Sequence, residues 1–309
     1  MKHLVIVNAF AGHYTKEFEE HIQDSFKGLD LEIFKSTGPR SSTAYLKQYF
    51  KKNTEETVRV YACGGDGTVN EVLNGLVGAK NAELAILAIG TGNDFVKVYG
   101  GETKFQSFET LIKGETKEAD LSKITTETLD EPMYSINVIN FGFDAIVGAK
   151  GNYYKEHGYP EKAKKKGMNP YDYALKNDAM KYGRFNDIEV VADGEKLNEK
   201  QLLLCTLAHG KYVGGKFLCA PKSVNDDGLI DICVLKTMTF LGLGMIIGPY
   251  TAGKHLNKPN KKIVYRRATK VEMYGPQEFD VCVDGEMIKG KHFVVECLPK
   301  AIKVVVPKE

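Results

Sequence analysis

The chain has 309 residues, enough for two domains of ordinary size, each with its own buried core. Hydrophobic residues make up 43% and charged residues 27%, the usual globular mix; the net charge of +2 says little by itself, nucleic-acid binders usually being far more basic, and no nucleic-acid partner is expected. Six cysteines (Cys63, Cys205, Cys219, Cys233, Cys282, Cys297) lie far apart with no Cys-x-x-Cys or His-x-x-x-His spacing, which excludes a zinc framework and suits reduced thiols in the cytoplasm.

The apolar run Leu4–Val7 after Met1-Lys2-His3 is too short for a signal peptide and reads as a first strand. Further strand-like runs follow at Leu31–Phe34, Val58–Ala62 and Leu84–Ile89. Between them lie helical patterns: Phe18, Ile22 and Phe26, closed by Gly28; then Tyr45, Leu46, Tyr49 and Phe50, opened by Ser41 or Ser42 as N-cap; then Val69, Val72, Leu73, Leu76 and Val77. Strand alternating with helix predicts an α/β domain with a doubly wound parallel sheet over residues 1–125, its ligands at the carboxyl ends of the strands. From about residue 126 strands dominate: Met133–Phe141, Ile188–Ala192, Leu202–Ala208, Leu229–Leu235, Val264–Tyr274, Val281–Val283, Phe293–Cys297 and Ile302–Val306, with Asp193-Gly194 as a hairpin turn. The expectation is a second, β-sandwich-like domain over 126–298, interrupted by a Lys/Tyr-rich, partly helical excursion from Lys150 to Arg184, with the tail 299–309 returning to the first domain. The longest uncharged run, Thr237–Gly253, is broken by Gly242, Gly244, Gly248 and Pro249 and is too short to span a bilayer.

Three glycine-containing segments end predicted strands. Cys63-Gly64-Gly65-Asp66-Gly67-Thr68-Val69-Asn70-Glu71 runs from the third strand into the clearest helix. Its glycines let backbone N–H groups approach an anion, and the helix start adds partial positive charge. Asp66 would repel a bare phosphate, so the loop predicts a metal–nucleotide complex; no Gly-Lys-Ser/Thr follows, which excludes a Walker loop. Ile89-Gly90-Thr91-Gly92-Asn93-Asp94-Phe95 and Asn8-Ala9-Phe10-Ala11-Gly12 end the fourth and first strands in the same way.

Gly64 to Glu71 followed by Gly90 to Phe95 resembles the diacylglycerol kinase catalytic family, which includes sphingosine kinases and bacterial lipid kinases. The resemblance continues through Asn140-Phe141-Gly142-Phe143-Asp144-Ala145, Tyr212-Val213-Gly214-Gly215-Lys216, Ala220-Pro221, Asn225-Asp226-Asp227-Gly228-Leu229 and Asp284-Gly285-Glu286, nearly the whole chain. It implies an ATP- and Mg²⁺-dependent kinase of a lipid alcohol such as diacylglycerol. Asn8, Ala9, Phe10, Ala11, Gly12, Thr37, Gly65, Asp66, Gly67, Thr68, Val69, Asn70, Glu71 and Thr91 would hold the nucleotide. Asp66 would act near the catalytic metal, with Asp94 and Asp120 completing an acidic network, and Glu286 would be the general base on the lipid hydroxyl. Asp227 with the carbonyls of Val224 and Leu229 would hold a structural Mg²⁺. Ala9 and Ala88 stand where the family usually has proline, which changes loop stiffness more than chemistry.

Phosphoryl transfer asks for charge neutralisation and in-line positioning, and a lipid alcohol gains from a carboxylate base. Gly-Gly-Asp-Gly is shared with NAD kinases, so a kinase of a soluble acceptor is the alternative reading. Charge is unevenly placed: no acidic residue lies between Asp231 and Glu272, where there are eight basic ones, and Lys150 to Arg184 carries a net +5. The remainder of the chain is therefore acidic, and these two stretches predict peripheral attachment to an anionic membrane surface. The identity of the lipid and self-association into a homodimer stay open.

Overall fold

The computed structural model describes residues 1–9, 14–199 and 201–308. The chain divides into two compact units, one of residues 1–121, 225–228 and 298–309, the other of 122–224 and 229–297.

In the first unit the elements run β1 (Lys2–Val7), α1 (Lys16–Ser25), β2 (Leu31–Lys35), α2 (Ser41–Lys52), β3 (Val58–Gly64), α3 (Asp66–Leu76), β4 (Ala82–Ala88) and α4 (Phe108–Ile112), followed by β5 (Glu115–Thr126), which leads into the second unit. The four strands β2, β1, β3 and β4 lie side by side in that order and all pair in parallel. The last residues of the chain add a further parallel strand, with Val304 opposite Leu84 and Val305 opposite Ala85. β3 and β4 are buried along their whole length, as strands covered on both faces must be. α1 starts where the Thr15 hydroxyl accepts from the Phe18 N–H. α2 departs from expectation: Arg40, in the left-handed region at φ 61°, is its N-cap. Ser41 is already helical because its hydroxyl donates to the Gly38 carbonyl and accepts from the Thr37 N–H. A buried ion pair braces the sheet, the Arg59 guanidinium reaching Glu83 at 2.8 Å and the carbonyls of Leu111, Ile112 and Gly114.

The second unit contains β6 (Met133–Ser135), β7 (Val138–Gly142), α5 (Phe143–His157), α6 (Glu161–Lys164), α7 (Pro170–Ala174), α8 (Met180–Tyr182), β8 (Glu189–Ala192), β9 (Glu195–Lys196), β10 (Leu202–Ala208), β11 (Ile230–Lys236), α9 (Phe240–Thr251), β12 (Ile263–Ala268), β13 (Lys270–Val283) and β14 (Glu286–Val306), the last of which ends in the first unit. Antiparallel pairing gives the order β12-β11-β10-β7-β13-β14. β13 changes register between Tyr274 and Phe279: its first part pairs with β8, its last with β7, so one strand serves both layers of a sandwich-like region. Alternate residues of β11 face two cores, Ile230, Ile232 and Val234 one way, Cys233 and Leu235 the other, the latter against Leu243 and Tyr250 of α9.

Two runs expected to be single strands are broken, both for one physical reason. The Asp284 carboxylate draws the N–H groups of Ile136, Asn137 and Val138 out of the ladder and so separates β6 from β7. The Asp193 carboxylate takes the N–H groups of Thr269 and Lys270 and the Thr269 hydroxyl, separating β12 from β13. Each aspartate opens an Asp-Gly hairpin turn with both residues at positive φ (45° and 84°; 48° and 97°). In the opposite sense, Phe293–Cys297 and Ile302–Val306, expected as two strands, are parts of β14.

Candidate active site

Adjacent parallel strands end side by side, so the loops after β3 and β4 meet. They meet closely: a Cβ on Gly90 would stand 2.2 Å from the Cα of Gly65, so only glycine permits this approach. Across the contact the Asp94 N–H donates to Asp66 Oδ1 at 2.8 Å. A Cβ on Gly92 would lie 2.4 Å from Asp66 Oδ2 and 3.7 Å from Asp94 Oδ2, so the second oxygens of both carboxylates border one small volume. Asn93 shapes the β4 loop in the left-handed region (φ 50°), its side chain accepting from the Gly90 N–H at 3.0 Å and donating to the Gly90 carbonyl at 2.8 Å. Lys97, in the short 3₁₀ segment Phe95–Tyr99, bonds Asp94 Oδ1 at 2.9 Å and the Gly92 carbonyl at 2.8 Å.

Asp66 is the first residue of α3 and Gly65 its N-cap, which leaves the first-turn N–H groups directed outward from the helix. Gly65, Asp66, Gly67 and Thr68 are solvent-accessible. Val69 and Asn70 are buried; the Val69 N–H is taken by the Gly65 carbonyl, and the Asn70 carbonyl accepts from the Asn74 side chain. Glu71 accepts from the Arg40 N–H, tying α3 to the start of α2. In the loop after β1, the Ala9 N–H donates to the Ser36 hydroxyl at 3.3 Å, and the Ser36 hydroxyl lies 3.5 Å from Asn8 Oδ1. Thr37 is exposed beside it, and Thr91 is exposed in the β4 loop. Phe10, Ala11 and Gly12 lie outside the described residues.

Asp120 is fully buried and both its oxygens accept from the backbone, Oδ1 from the Lys300 N–H at 2.7 Å and Oδ2 from the Gly228 N–H at 2.6 Å. It joins three separate segments of the first unit. Asp227 sits in the turn 225–228 of that unit, whereas Val224 and Leu229 belong to the second, so the set expected to hold a structural Mg²⁺ is drawn from both.

In the second unit Glu286 is exposed at the head of β14, paired with Val283 across the Asp284-Gly285 turn. Asp284 is its anchor, accepting from the Ser135 hydroxyl at 2.7 Å and from three backbone N–H groups. Asp144, at the start of α5, has a carboxyl pushed up to about 6, first by burial, with hydrogen bonds from Asn140 and Tyr250 opposing the shift.

The oxygen-only donor set of Asp66 and Asp94 is the type that a hard divalent cation takes, and the loop that carries it suits a nucleotide phosphate. Residues 2–124 match the diacylglycerol kinase catalytic domain, and residues 137–306 match the YegS C-terminal NAD kinase beta sandwich-like domain. A diacylglycerol kinase of Bacillus subtilis is 30% identical over 258 residues, covering 81% of this chain and 78% of that protein. The chain belongs to the diacylglycerol kinase catalytic-domain family. It is a lipid kinase, a phosphotransferase with an alcohol group as acceptor. A diacylglycerol kinase of Staphylococcus carnosus is 26% identical over 84% of this chain and 79% of its own. A crystal structure of a diacylglycerol kinase from Bacillus anthracis superposes with a TM-score of 0.68 at 22% identity, covering 98% and 96% of the two chains, and shares the fold.

Three residues to which the sequence assigned no role make bonds beside the candidate site residues. Ser36, next to Thr37 and just past the end of β2, makes the bonds to the first loop; no local signal ranks it above Thr37. Lys97 is three residues beyond Asp94, within reach on a 3₁₀ turn, but nothing local distinguishes it from a surface lysine. Asp284 reads locally as a turn residue, and its partners are more than a hundred positions away.

Proposed function

We propose that this lipid kinase transfers the γ-phosphoryl group of ATP to the hydroxyl of a membrane lipid such as diacylglycerol, with Mg²⁺. The observation that carries the reading is the convergence of Asp66 Oδ2 and Asp94 Oδ2 on one volume beside the start of α3. Mg²⁺ bound there would neutralise charge on the nucleotide phosphates. The first-turn N–H groups of α3 and the half-buried Thr68 would orient the phosphates, and the Asp94–Asp66 backbone bond would keep the two loops from separating as charge develops. Lys97, bonded to Asp94 Oδ1 at 2.9 Å, orients that carboxylate. Glu286, exposed on a turn fixed by Asp284, would accept the proton of the acceptor hydroxyl. Attachment to an anionic membrane surface would bring the enzyme to its acceptor.

The test is phosphorylation of detergent-dispersed lipid alcohols with radiolabelled ATP, with and without Mg²⁺, beside NAD as a soluble acceptor. Labelled lipid only with Mg²⁺, lost in Asp66→Asn by on the order of 10²-fold or more in kcat, is the expected result. Glu286→Gln should lose turnover while ATP affinity holds. Labelled NADP with unlabelled lipid would replace this reading by the soluble-acceptor one.

A further inference from the structure

Helix α9 is apolar all round, yet it lies on the surface of the second unit. No residue from Thr237 to Gly253 is charged. Leu243 and Tyr250 face inward and are buried, with Ile246 packed beside them. That spacing of three, four and seven leaves the opposite stripe outward, and there Leu241 is 74% exposed, Met245 66%, Phe240 54% and Ile247 42%. A Cβ on Gly244 or Gly248 would meet nothing within 4 Å, so the stripe is uncovered along its length. Tyr182 and Phe185 extend it, both exposed, through Arg184, whose guanidinium lies 3.6 Å from the Phe240 ring centroid and whose carbonyl accepts from the Thr237 hydroxyl. A helix that is apolar on every face is normally enclosed by protein or by lipid, and a contiguous patch of this kind marks an interaction surface.

Charge decides between occupants. The helix is bordered in sequence by Lys236 and by the exposed Lys254, Lys258, Lys261 and Lys262, and the Lys262 ammonium reaches back to the Thr237 carbonyl at 3.1 Å. Apolar face with a basic border and no acidic residue between Asp231 and Glu272 fits an anionic bilayer, not an identical basic face of a second copy. We infer that α9 inserts its Leu241–Met245 stripe in the plane of an anionic membrane, with the neighbouring lysines among the phosphate headgroups. The inference deepens the lipid-kinase reading and rests on it for purpose, but the insertion itself is measurable without turnover.

The chain has no tryptophan, so Met245→Trp supplies a single reporter. With phosphatidylcholine vesicles containing phosphatidylglycerol, its emission should shift to the blue and be quenched by lipids brominated along the acyl chains. Leu29→Trp, an exposed position in the first unit, should show neither change. The double variant Leu241→Lys/Met245→Lys should lower vesicle partitioning by on the order of a hundredfold. The same variant should keep its melting temperature and its turnover of detergent-dispersed acceptor. Lys261→Glu/Lys262→Glu should weaken binding in a salt-dependent way. An indole at 245 that stays solvent-exposed on vesicle-bound protein would overturn the inference. So would a concentration-dependent dimer in sedimentation that Leu241→Lys abolishes, since a second copy would then be the occupant. Insertion without phosphorylation of any lipid would instead sink the kinase reading and leave this surface standing.

Discussion

Replacing Asp284 tests whether the turn that carries Glu286 is held by its neighbour's carboxylate. In Asp284→Ala, the Ser135 hydroxyl and the N–H groups of Ile136, Asn137 and Val138 lose their acceptor. Ser135, Ile136 and Val138 are all nearly inaccessible, so water cannot easily substitute. Each unmet buried donor costs about 1–3 kcal/mol, and alanine at φ 48° adds about 1 kcal/mol of strain. Burial pushes the Asp284 carboxyl up, so part of this loss is offset when its desolvation is removed. The net should be a destabilisation of about 3–5 kcal/mol, a large share of the roughly 5–15 kcal/mol of a typical domain. Asp284→Asn separates the terms. It can keep an oxygen for Ser135, Asn137 and Val138, all of which use Oδ1, and it tolerates the left-handed region; only the bond from Ile136 to Oδ2 is lost. About 1–2 kcal/mol is expected for asparagine. Urea denaturation gives the midpoints, and turnover per folded molecule gives the positioning effect: the alanine variant should lose kcat while ATP affinity holds. An alanine variant with an unchanged midpoint and normal kcat would show that the four bonds do not position Glu286.

Three further perturbations address separate parts of the molecule. Gly90→Ala puts a methyl group 2.2 Å from the Gly65 Cα and should weaken ATP binding roughly tenfold in calorimetry, whereas Gly78→Ala, strained at φ 89° but meeting nothing, should lower stability alone. Asp144, held near 6 when folded against 3.8 ordinarily, contributes stability that is full below about pH 4 and lost as pH rises through 6. Asp144→Asn should therefore match the parent at pH 4 and exceed it by about 2–3 kcal/mol above pH 7, unless the carboxylate is ionised throughout, in which case the two curves run parallel. Arg59→Ala strands the buried Glu83 carboxylate and three carbonyls and should cost about 3–5 kcal/mol in thermal unfolding, with a loss under 1 kcal/mol counting against the ion pair as a brace.

The parallel sheet was legible because β1, β3 and β4 are buried and mostly apolar and end at asparagine or glycine loops, with β2, half-buried at its edge, completing the alternation of strand and helix. β5 was not: Glu115 to Lys117 and Lys123 give it no apolar run, only an alternation at its centre, Ala119 and Leu121 buried. α9 was seen as an uncharged run but not as a helix, since Gly242, Gly244, Gly248 and Pro249 argue locally against one. Its Thr239 N-cap, accepting from the Gly242 N–H, and the packing of Leu243 and Tyr250 outweigh that propensity. The division of β6 from β7 and of β12 from β13 has no local signal, because the breaking carboxylates come from elsewhere in the chain.

That last point explains why the glycine loops in the candidate site could be read from their own residues, whereas its carboxylates, apart from Asp66 within such a loop, took roles only from the family resemblance. A glycine turn acts through its own backbone, so its signature is local. A carboxylate acts through whatever donor the fold brings to it. Asp120 and Lys300 are 180 positions apart, and Ser135 and Asp284 are 149. Both aspartates are buried, Asp120 accepting from two backbone N–H groups and Asp284 from three and the Ser135 hydroxyl. Asp66 and Asp94 are 28 positions apart on neighbouring strand ends, and their bond to each other leaves each Oδ2 bordering the Gly92 volume. Burial then separates two acids in the same turn: Asp284 is 8% exposed and acts as scaffold, while Glu286, two residues on, faces solvent. The fold thus ties Asp120 and Asp284 into buried backbone bonds and leaves Asp66 and Glu286 accessible to solvent. The division is testable in pairs: charge-neutralising changes at Asp120 and Asp284 should register first in melting temperature, and those at Asp66 and Glu286 first in kcat.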